Sequence, residues 1–408
     1  MVPEGWSYTE LRQLTSIYDG THSTPDYVEK GVPFYSVEHL TSGDFSKTKF
    51  ISNEVYEREN KRVRLEKGDI LMTRIGDIGT AVHLDWEVKA SFYVSLALIK
   101  SSDAFCSLYL TQYINSHAFQ RELWRKIIHV AFPKKINLGE IGKCHVLLPP
   151  SCDQEKISRI LRVWDQAISV TKKMVSNSQR QKKALAQQLL TGKKRLAVFK
   201  KSWEKHRLEN LFSRVTTRNT EASTNVVTIS AQHGLIRQED YFNKTVASET
   251  LDNYFLLKKG QFAYNKSYSN GYPMGAIKRL NKYEKGVVTT LYICFEVRDE
   301  TTCNPEFFEH YFESGLLNNG LSKVANEGGR AHGLLNVKPS DFFGLTVYVP
   351  EVDEQKAISA VLTTADQEIQ TLQAKLACLK DEKKALMQQL LTGKRRVKID
   401  ESLQEAPC

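Results

Sequence analysis

A stretch of fourteen residues occurs twice in this chain with two changes. Lys182 to Arg195 reads KKALAQQLLTGKKR, and Lys383 to Arg396 reads KKALMQQLLTGKRR, 201 positions later in a chain of 408. A period of half the chain requires two related folding units, and overlooking it would misassign the whole fold. The match runs upstream without a gap: Pro149 with Pro350, Gln154 with Gln355, Ile157-Ser158 with Ile358-Ser359, Leu161 with Leu362, Asp165-Gln166 with Asp366-Gln367, and Ile168 with Ile369. A fainter echo opens each half, where Trp6, Leu11 and Leu14 share their spacing with Trp203, Leu208 and Leu211. The order is A-B-A′-B′, with B and B′ nearly alike and A and A′ diverged. Something in this protein is needed twice.

Hydrophobic content of 41% and aromatic content of 10% fit globular domains with real cores. The net charge of +10 points to an acidic partner, most often nucleic acid. The seven cysteines form no C-x-x-C pair and read as reduced thiols rather than a disulfide frame or zinc site. With no signal peptide and no apolar run long enough for a membrane span, a cytoplasmic location is expected.

The B segments read as long helices. In B′ the apolar residues Ile358, Leu362, Ala365, Ile369, Leu372, Leu376, Leu379, Leu386 and Leu390 step by four and three, a heptad seam interrupted by Lys383. B repeats it less cleanly with Ile157, Leu161, Trp164, Ile168, Val175, Leu185 and Leu189. Neither contains an internal Gly or Pro, and each stops at Thr-Gly, as helices do. The natural partner of each stripe is the other copy, giving two long helices in a coiled coil; docking of each helix on its own A domain is the alternative. Ten Lys/Arg lie between Asp165 and Lys201 with no acid after Asp165, a pattern of either a solvated face or contact with phosphates or an acidic partner.

The A segments read as mixed α/β. Strand-like runs at 69–75, 81–84 and 92–99, an amphipathic helix from 102 to about 128 and a strand at 144–148 make up the first. Runs at 261–264, 275–278 and 287–297, a helix from 305 to about 324 and a strand at 345–349 make up the second. The loops differ, and loops on a rigid scaffold are where recognition lives. In the first segment they carry Thr21, His22, Ser23, Thr24, Tyr27, Arg74, Lys134 and Lys135; in the second, Arg218, Asn219, His233, Lys266, Tyr268, Arg330 and His332. Arg, Lys, Asn and Gln suit base edges, and hydroxyls suit phosphates.

Motifs for chemistry within the chain are weak. Asn304-Pro-Glu-Phe307 is similar to the Asn-Pro-Pro-Phe/Tyr motif of adenine-N6 methyltransferases, but Pro305 suits the first turn of a helix and no Gly-rich cofactor loop accompanies it. Asp69 with Glu87 and Lys89 has roughly the spacing of a metal-dependent nuclease, with no counterpart in the second half. There is no phosphate-binding G-x-x-x-x-G-K-[ST] loop and no histidine set with metal spacing. No catalytic and no metal-binding residue is therefore assigned.

The arrangement resembles the specificity subunit of type I restriction-modification systems over nearly the whole chain. The resemblance is carried by Gly20-Thr-His-Ser-Thr-Pro25 with Gly31-Val-Pro33, by Lys67-Gly-Asp-Ile70, by the Pro-x-x-x-x-Gln spacing at Pro149/Gln154 and Pro350/Gln355, and by the doubled Gln-Gln-Leu-Leu-Thr-Gly-Lys. It implies two target-recognition domains, at 1–148 and 199–349, in a pseudo-twofold arrangement, with antiparallel spacer helices at 149–198 and 350–408. Each domain would read half of a bipartite duplex DNA site in a phage-defence system. The helices would dock two methyltransferase subunits that act on adenine N6, and restriction subunits would join them. The cofactors S-adenosylmethionine, ATP and Mg would belong to those partners, none to this chain. Thr217-Arg-Asn-Thr220 stands where a second Gly-Thr-His-Ser-like loop would be expected, so base-reading roles do not transfer between the halves.

Physical reasoning reaches a similar picture. Antiparallel copies of B create a twofold that matches the twofold of a DNA backbone, and unlike A domains free the target from palindromy. Two other readings remain open: a coiled-coil scaffold for protein or RNA, and a self-contained nuclease.

Overall fold

The structure is a computed structural model that describes residues 2–230, 232–242, 251–327 and 335–397. It divides into two compact units, one of residues 1–172 with 374–408, the other of residues 173–373. Each unit joins one globular part to the start of its own long helix and the end of the other.

In the first unit the central sheet has four antiparallel strands in the order Ile17–Asp19, Leu96–Ile99, Ile70–Ile75, Asp77–His83. In the second unit the order is Phe212–Val215, Ile293–Val297, Phe262–Asn265, Ala276–Arg279, the same topology. A two-stranded ribbon brings the beginning of each globular part beside its end: Ser7–Glu10 with His145–Leu148, and Glu204–Arg207 with Thr346–Val349. The chain then passes through Pro149 or Pro350 directly into a long helix.

Beyond that shared sheet the units diverge. The first carries a second four-stranded sheet, ordered Tyr27–Val28, Lys49–Ile51, Val32–Tyr35, Ser91–Phe92. Among its described residues the second carries three separate ribbons, Val227–Ser230 with Gly234–Arg237, Phe255–Lys258 with Lys285–Val288, and Asn326–Glu327 with Leu335–Asn336.

Several expected elements break in two. The run 92–99 serves two sheets, because Tyr93 N–H turns to the Tyr35 carbonyl and Val94 N–H to the Thr21 carbonyl. The run 287–297 likewise separates into Lys285–Val288 and Ile293–Val297. The helix expected at 102–128 is Ser107–Ile114 followed by His117–Lys126, with Ser116 capping the second piece. The helix expected at 305–324 breaks at Gly315, whose φ of 75° lies in the left-handed region open to glycine.

The long helices are Ser151–Leu189 and Val352–Leu390, 39 residues each. In the first unit Lys383 Nζ donates to Asp165 Oδ1 at 2.6 Å; in the second Lys182 Nζ donates to Asp366 Oδ1 at 2.5 Å. These are one contact made twice, and each joins an early turn of one helix to a late turn of the other, so the helices pack antiparallel. The expected seam is of two kinds. Ile157 and Leu161, with Leu390 and Leu391, are buried in the core of the first globular part. Ile358 and Leu362, with Leu189 and Leu190, are buried in the core of the second. Ile369 is buried too, whereas Trp164, Ile168, Leu185, Leu372, Leu376, Leu379 and Leu386 are half-buried, as a two-helix stripe must be. Helix-on-helix pairing and docking on the globular parts therefore coexist, at different turns.

The repeated Gln-Gln-Leu-Leu-Thr-Gly owes half its pattern to this packing. The leucines fill cores, and Gly192 and Gly393 end the helices at φ of 68° and 69°. Trp203 packs beside Gly192, and Pro3 with Trp6 beside Gly393. Arg396 donates to the Glu4 carbonyl and lies 5.7 Å from the Trp6 ring, so the last described turn returns to the start of the chain. Among the described residues no helix is long and apolar enough to cross a membrane.

Candidate DNA interface

Three of the loop residues singled out from the sequence belong to the loops' supports rather than their surfaces. Thr21 is 7% exposed and exchanges backbone hydrogen bonds with Phe92 and Val94. Arg74 is 8% exposed; its Nε donates to the Ile136 carbonyl at 3.2 Å and its Nη1 to the Val94 carbonyl at 2.8 Å. Asn219 is 3% exposed and closes its own turn, donating to the Ser223 carbonyl and accepting from the Ser223 N–H. Two N–H donors of the Arg74 guanidinium and both ends of the Asn219 amide are held by backbone, so neither side chain stands free on its loop as the sequence suggested. Sequence shows residue type; it does not show that a neighbouring carbonyl has already claimed the donor.

The rest of the first unit's set is presented outward. His22, Ser23 and Thr24 are exposed on a loop that begins at Gly20, where a Cβ would lie 2.0 Å from the Phe92 carbonyl oxygen. His22 Nε2 meets Asp19 Oδ2 at 2.8 Å, and Arg62 meets Asp19 Oδ1 at 2.6 Å. Burial works to raise the Asp19 carboxyl, but Arg62 and His22 outweigh it and hold it below the usual carboxylate range. Tyr27 is exposed with Lys49 Nζ 4.6 Å over its ring. Lys134 and Lys135 are exposed, Lys134 lying 4.8 Å over Trp124.

In the second unit Arg218 is exposed, stacked 5.2 Å over Phe255 and donating to the Asn253 carbonyl. His233 and Tyr268 are exposed. Lys266 is half-buried, and burial pulls its ammonium below the usual lysine range. Arg330 and His332 lie outside the described residues. The exposed or half-exposed Lys49, Arg62, Trp124, Phe132 and Arg237 were passed over in the sequence. Arg62 beside Asp19 and Arg237 over Tyr283 meet neighbours distant in the chain, which the sequence does not show.

The basic run of the first long helix has acidic partners in the chain itself. Arg195 forks onto Glu354, whose side chain is fully buried, and Lys201 pairs with Glu351. With Lys182 on Asp366, three of its cations face acids of the opposite helix and the segment preceding it.

The partial catalytic motifs do not assemble. Asn304 is the N-cap of helix Pro305–Glu313, its side chain accepting from the Phe307 N–H at 2.8 Å. Asp69 is buried and held by Lys100 and by the Glu66 and Ser101 N–H groups. Glu87 pairs with Lys67, and Lys89 turns to Asn53 and the Tyr56 ring. Among the described residues no cluster of His, Cys, Asp or Glu could hold a metal ion.

Residues 3–177 match the type I restriction modification DNA specificity domain. The chain is 24% identical to a protein assigned as the type I restriction enzyme MjaX specificity subunit of Methanocaldococcus jannaschii, across 97% of this chain and 95% of that one. Its fold is similar to that of the type I S subunit from M. genitalium, with a TM-score of 0.59 and 12% identity over 95% of this chain and 96% of the other. It is similar also to a chain from a study of complex assembly and conformational transition in a type I system, with a TM-score of 0.56 and 13% identity over 97% of this chain and 100% of the other. A matched first domain, a relative similar along nearly its whole length and a shared fold over nearly every residue are all similarities to specificity subunits of type I restriction-modification systems.

Proposed function

We propose that each globular part reads one half of a bipartite, non-palindromic duplex site, that the paired helices set the gap, and that two methyltransferase subunits dock on them. The methyltransferases would carry S-adenosylmethionine and modify adenine N6; ATP- and Mg-dependent restriction subunits would join through them. This chain would supply recognition and no chemistry, in the cytoplasm.

One observation carries this reading. Packing accounts for the repeated leucines and glycines, but Gln187, Gln188, Gln388 and Gln389 are exposed and repeated as well. Exposed residues kept identical in both copies, while the loops of the globular parts diverge, fit one partner bound twice. Helices of 39 residues are about 58 Å long. That exceeds a DNA turn of roughly 34–36 Å, which supports unread base pairs between the half-sites.

The test is co-expression with the candidate methyltransferase and mapping of N6-methyladenine. A split motif with one methylated adenine in each half is expected; a contiguous, ungapped motif would sink the spacer reading. Replacing Gln187 and Gln188 with glutamate should remove one methyltransferase copy, and the same change at Gln388 and Gln389 the other, by mass measurement of the intact complex. Duplex binding should weaken steeply with salt; its absence with the methyltransferase present would favour a protein or RNA scaffold instead.

A further inference from the structure

The loop between helix His117–Lys126 and Ile136 is anchored more firmly than an ordinary surface loop. Ile128 N–H donates to the Lys135 carbonyl at 2.9 Å, Gly76 N–H to the Lys134 carbonyl at 2.8 Å, and Ile136 N–H to the Arg74 carbonyl at 3.0 Å. The buried Arg74 guanidinium ties its base to the next loop, and His129 Nε2 meets the Trp124 carbonyl at 2.9 Å. On this anchored base stands Phe132, 104% exposed, with Val130 beside it at 97%.

Single exposed apolar residues are common and need no explanation. The setting of this one is different. Leu123 to Gly139 contains Arg125, Lys126, Lys134 and Lys135 and no acidic residue, so a polyanion is the complementary partner. Trp124, 55% exposed, stacks edge-on with His129 and lies beneath Lys134, which adds a second aromatic surface. Apolar side chains presented on a basic surface are how proteins enter and unstack base steps.

We propose that Phe132 is a wedge that inserts at a base step of the DNA bound by the first unit, with Lys134 and Lys135 holding the flanking phosphates. The inference rests on the bipartite reading above and adds a deformation of the DNA to it. The second unit has a corresponding place, since Leu335 N–H donates to the Lys266 carbonyl as Ile136 does to Arg74. Residues 328–334 lie outside the described residues, but the sequence from Ala325 to Asn336 holds no Phe, Trp or Tyr, so we expect the wedge to act in one half-site only.

The test uses the assembled methyltransferase complex and a duplex carrying the mapped methylation motif. Stacking is read by permanganate reactivity at thymines and by 2-aminopurine placed in turn at each adenine. Besides the target adenine of each half-site, which N6 methylation takes out of the stack, wild type should show one further unstacked step, in one half-site only. F132A should abolish it and weaken binding on the order of tenfold, while F132W retains both. K134A with K135A should weaken binding to all sequences and lower the salt slope by roughly two, leaving the step unstacked. An F132A complex with unchanged reactivity and affinity overturns the wedge, as does one that loses methyltransferase while its DNA pattern stays intact. A wild-type complex that binds no duplex fails at the earlier step and overturns the recognition reading itself.

Discussion

Gln154 and Gln355 do the same work in the two units. Gln154 accepts from the Cys106 N–H at 2.8 Å and donates to the Pro149 carbonyl at 2.9 Å. Gln355 accepts from the Asn304 N–H and donates to the Pro350 carbonyl, both at 2.8 Å. Asp165 and Asp366 are met by repeat-related lysines, and both central sheets share one strand order. The outward parts share little: a four-stranded second sheet and an exposed Phe132 on one side, three ribbons and a stacked Arg218 on the other. Contacts that join a globular part to the helices have stayed alike, and those facing outward have diverged. This fits a frame that must hold two different readers in the same way.

The largest effects should follow from cutting the helix ends out of the cores they complete. L390A should loosen the first unit and L189A the second, each by about 2–5 kcal/mol, although each leucine belongs to the repeat that follows the other globular part. Amide hydrogen exchange resolved by unit checks this. If L390A loosens the second unit instead, the division of each helix between two cores is wrong.

The glutamines come next, with effects of the same order. Q154L and Q355L each leave an N–H and a carbonyl without partners, at about 1–3 kcal/mol for a buried group and less for the half-buried Cys106 N–H. Gln355 Nε2 has an additional acceptor in the Thr302 carbonyl at 3.1 Å, so Q355L should be the more costly of the two. Equal losses in thermal denaturation would show that the extra bond contributes nothing.

The frame was largely legible in the sequence and the interface only in outline. Repetition exposed the long helices, their glycine ends and the Pro-to-Gln spacing, because those features depend on residues close in sequence or on an exact period. Strand runs such as 70–75 were visible from apolar content, but the switch of 92–99 between two sheets was not, since it depends on carbonyls at Tyr35 and Thr21. Arg74 shows the same limit at the site. Its type suggested base reading, yet two backbone carbonyls distant in sequence hold it as a support. Phe132 is half legible: its loop, 129–137, shows in sequence as basic and aromatic, but the full exposure of the ring shows only in the structure.

The finest difference between the halves lies at the helix contact itself, where Gln112 and His310 occupy related places. Gln112 Nε2 donates to Asp165 Oδ2 at 2.6 Å. His310 Nδ1 lies 3.8 Å from Asp366 Oδ2, and its Nε2 meets Thr363 Oγ1 at 3.1 Å. Burial, then Lys182, lowers the His310 pKa, and Asp366, Glu313 and Glu306 oppose this without reversing it. A histidine lowered in the folded state is protonated more readily when unfolded, so stability falls as pH drops below about 6.5 and levels off once the folded pKa is passed. The slope cannot exceed about 1.4 kcal/mol per pH unit for one proton. Hydrogen exchange of the second unit between pH 7 and 5 should show this loss, and H310Q, which installs the first unit's residue, should flatten it. His83, also lowered by burial, gives the first unit its own slope, which H310Q should leave untouched. A pH dependence of the second unit that survives H310Q would mean that the two helix contacts are electrostatically equivalent despite their different residues.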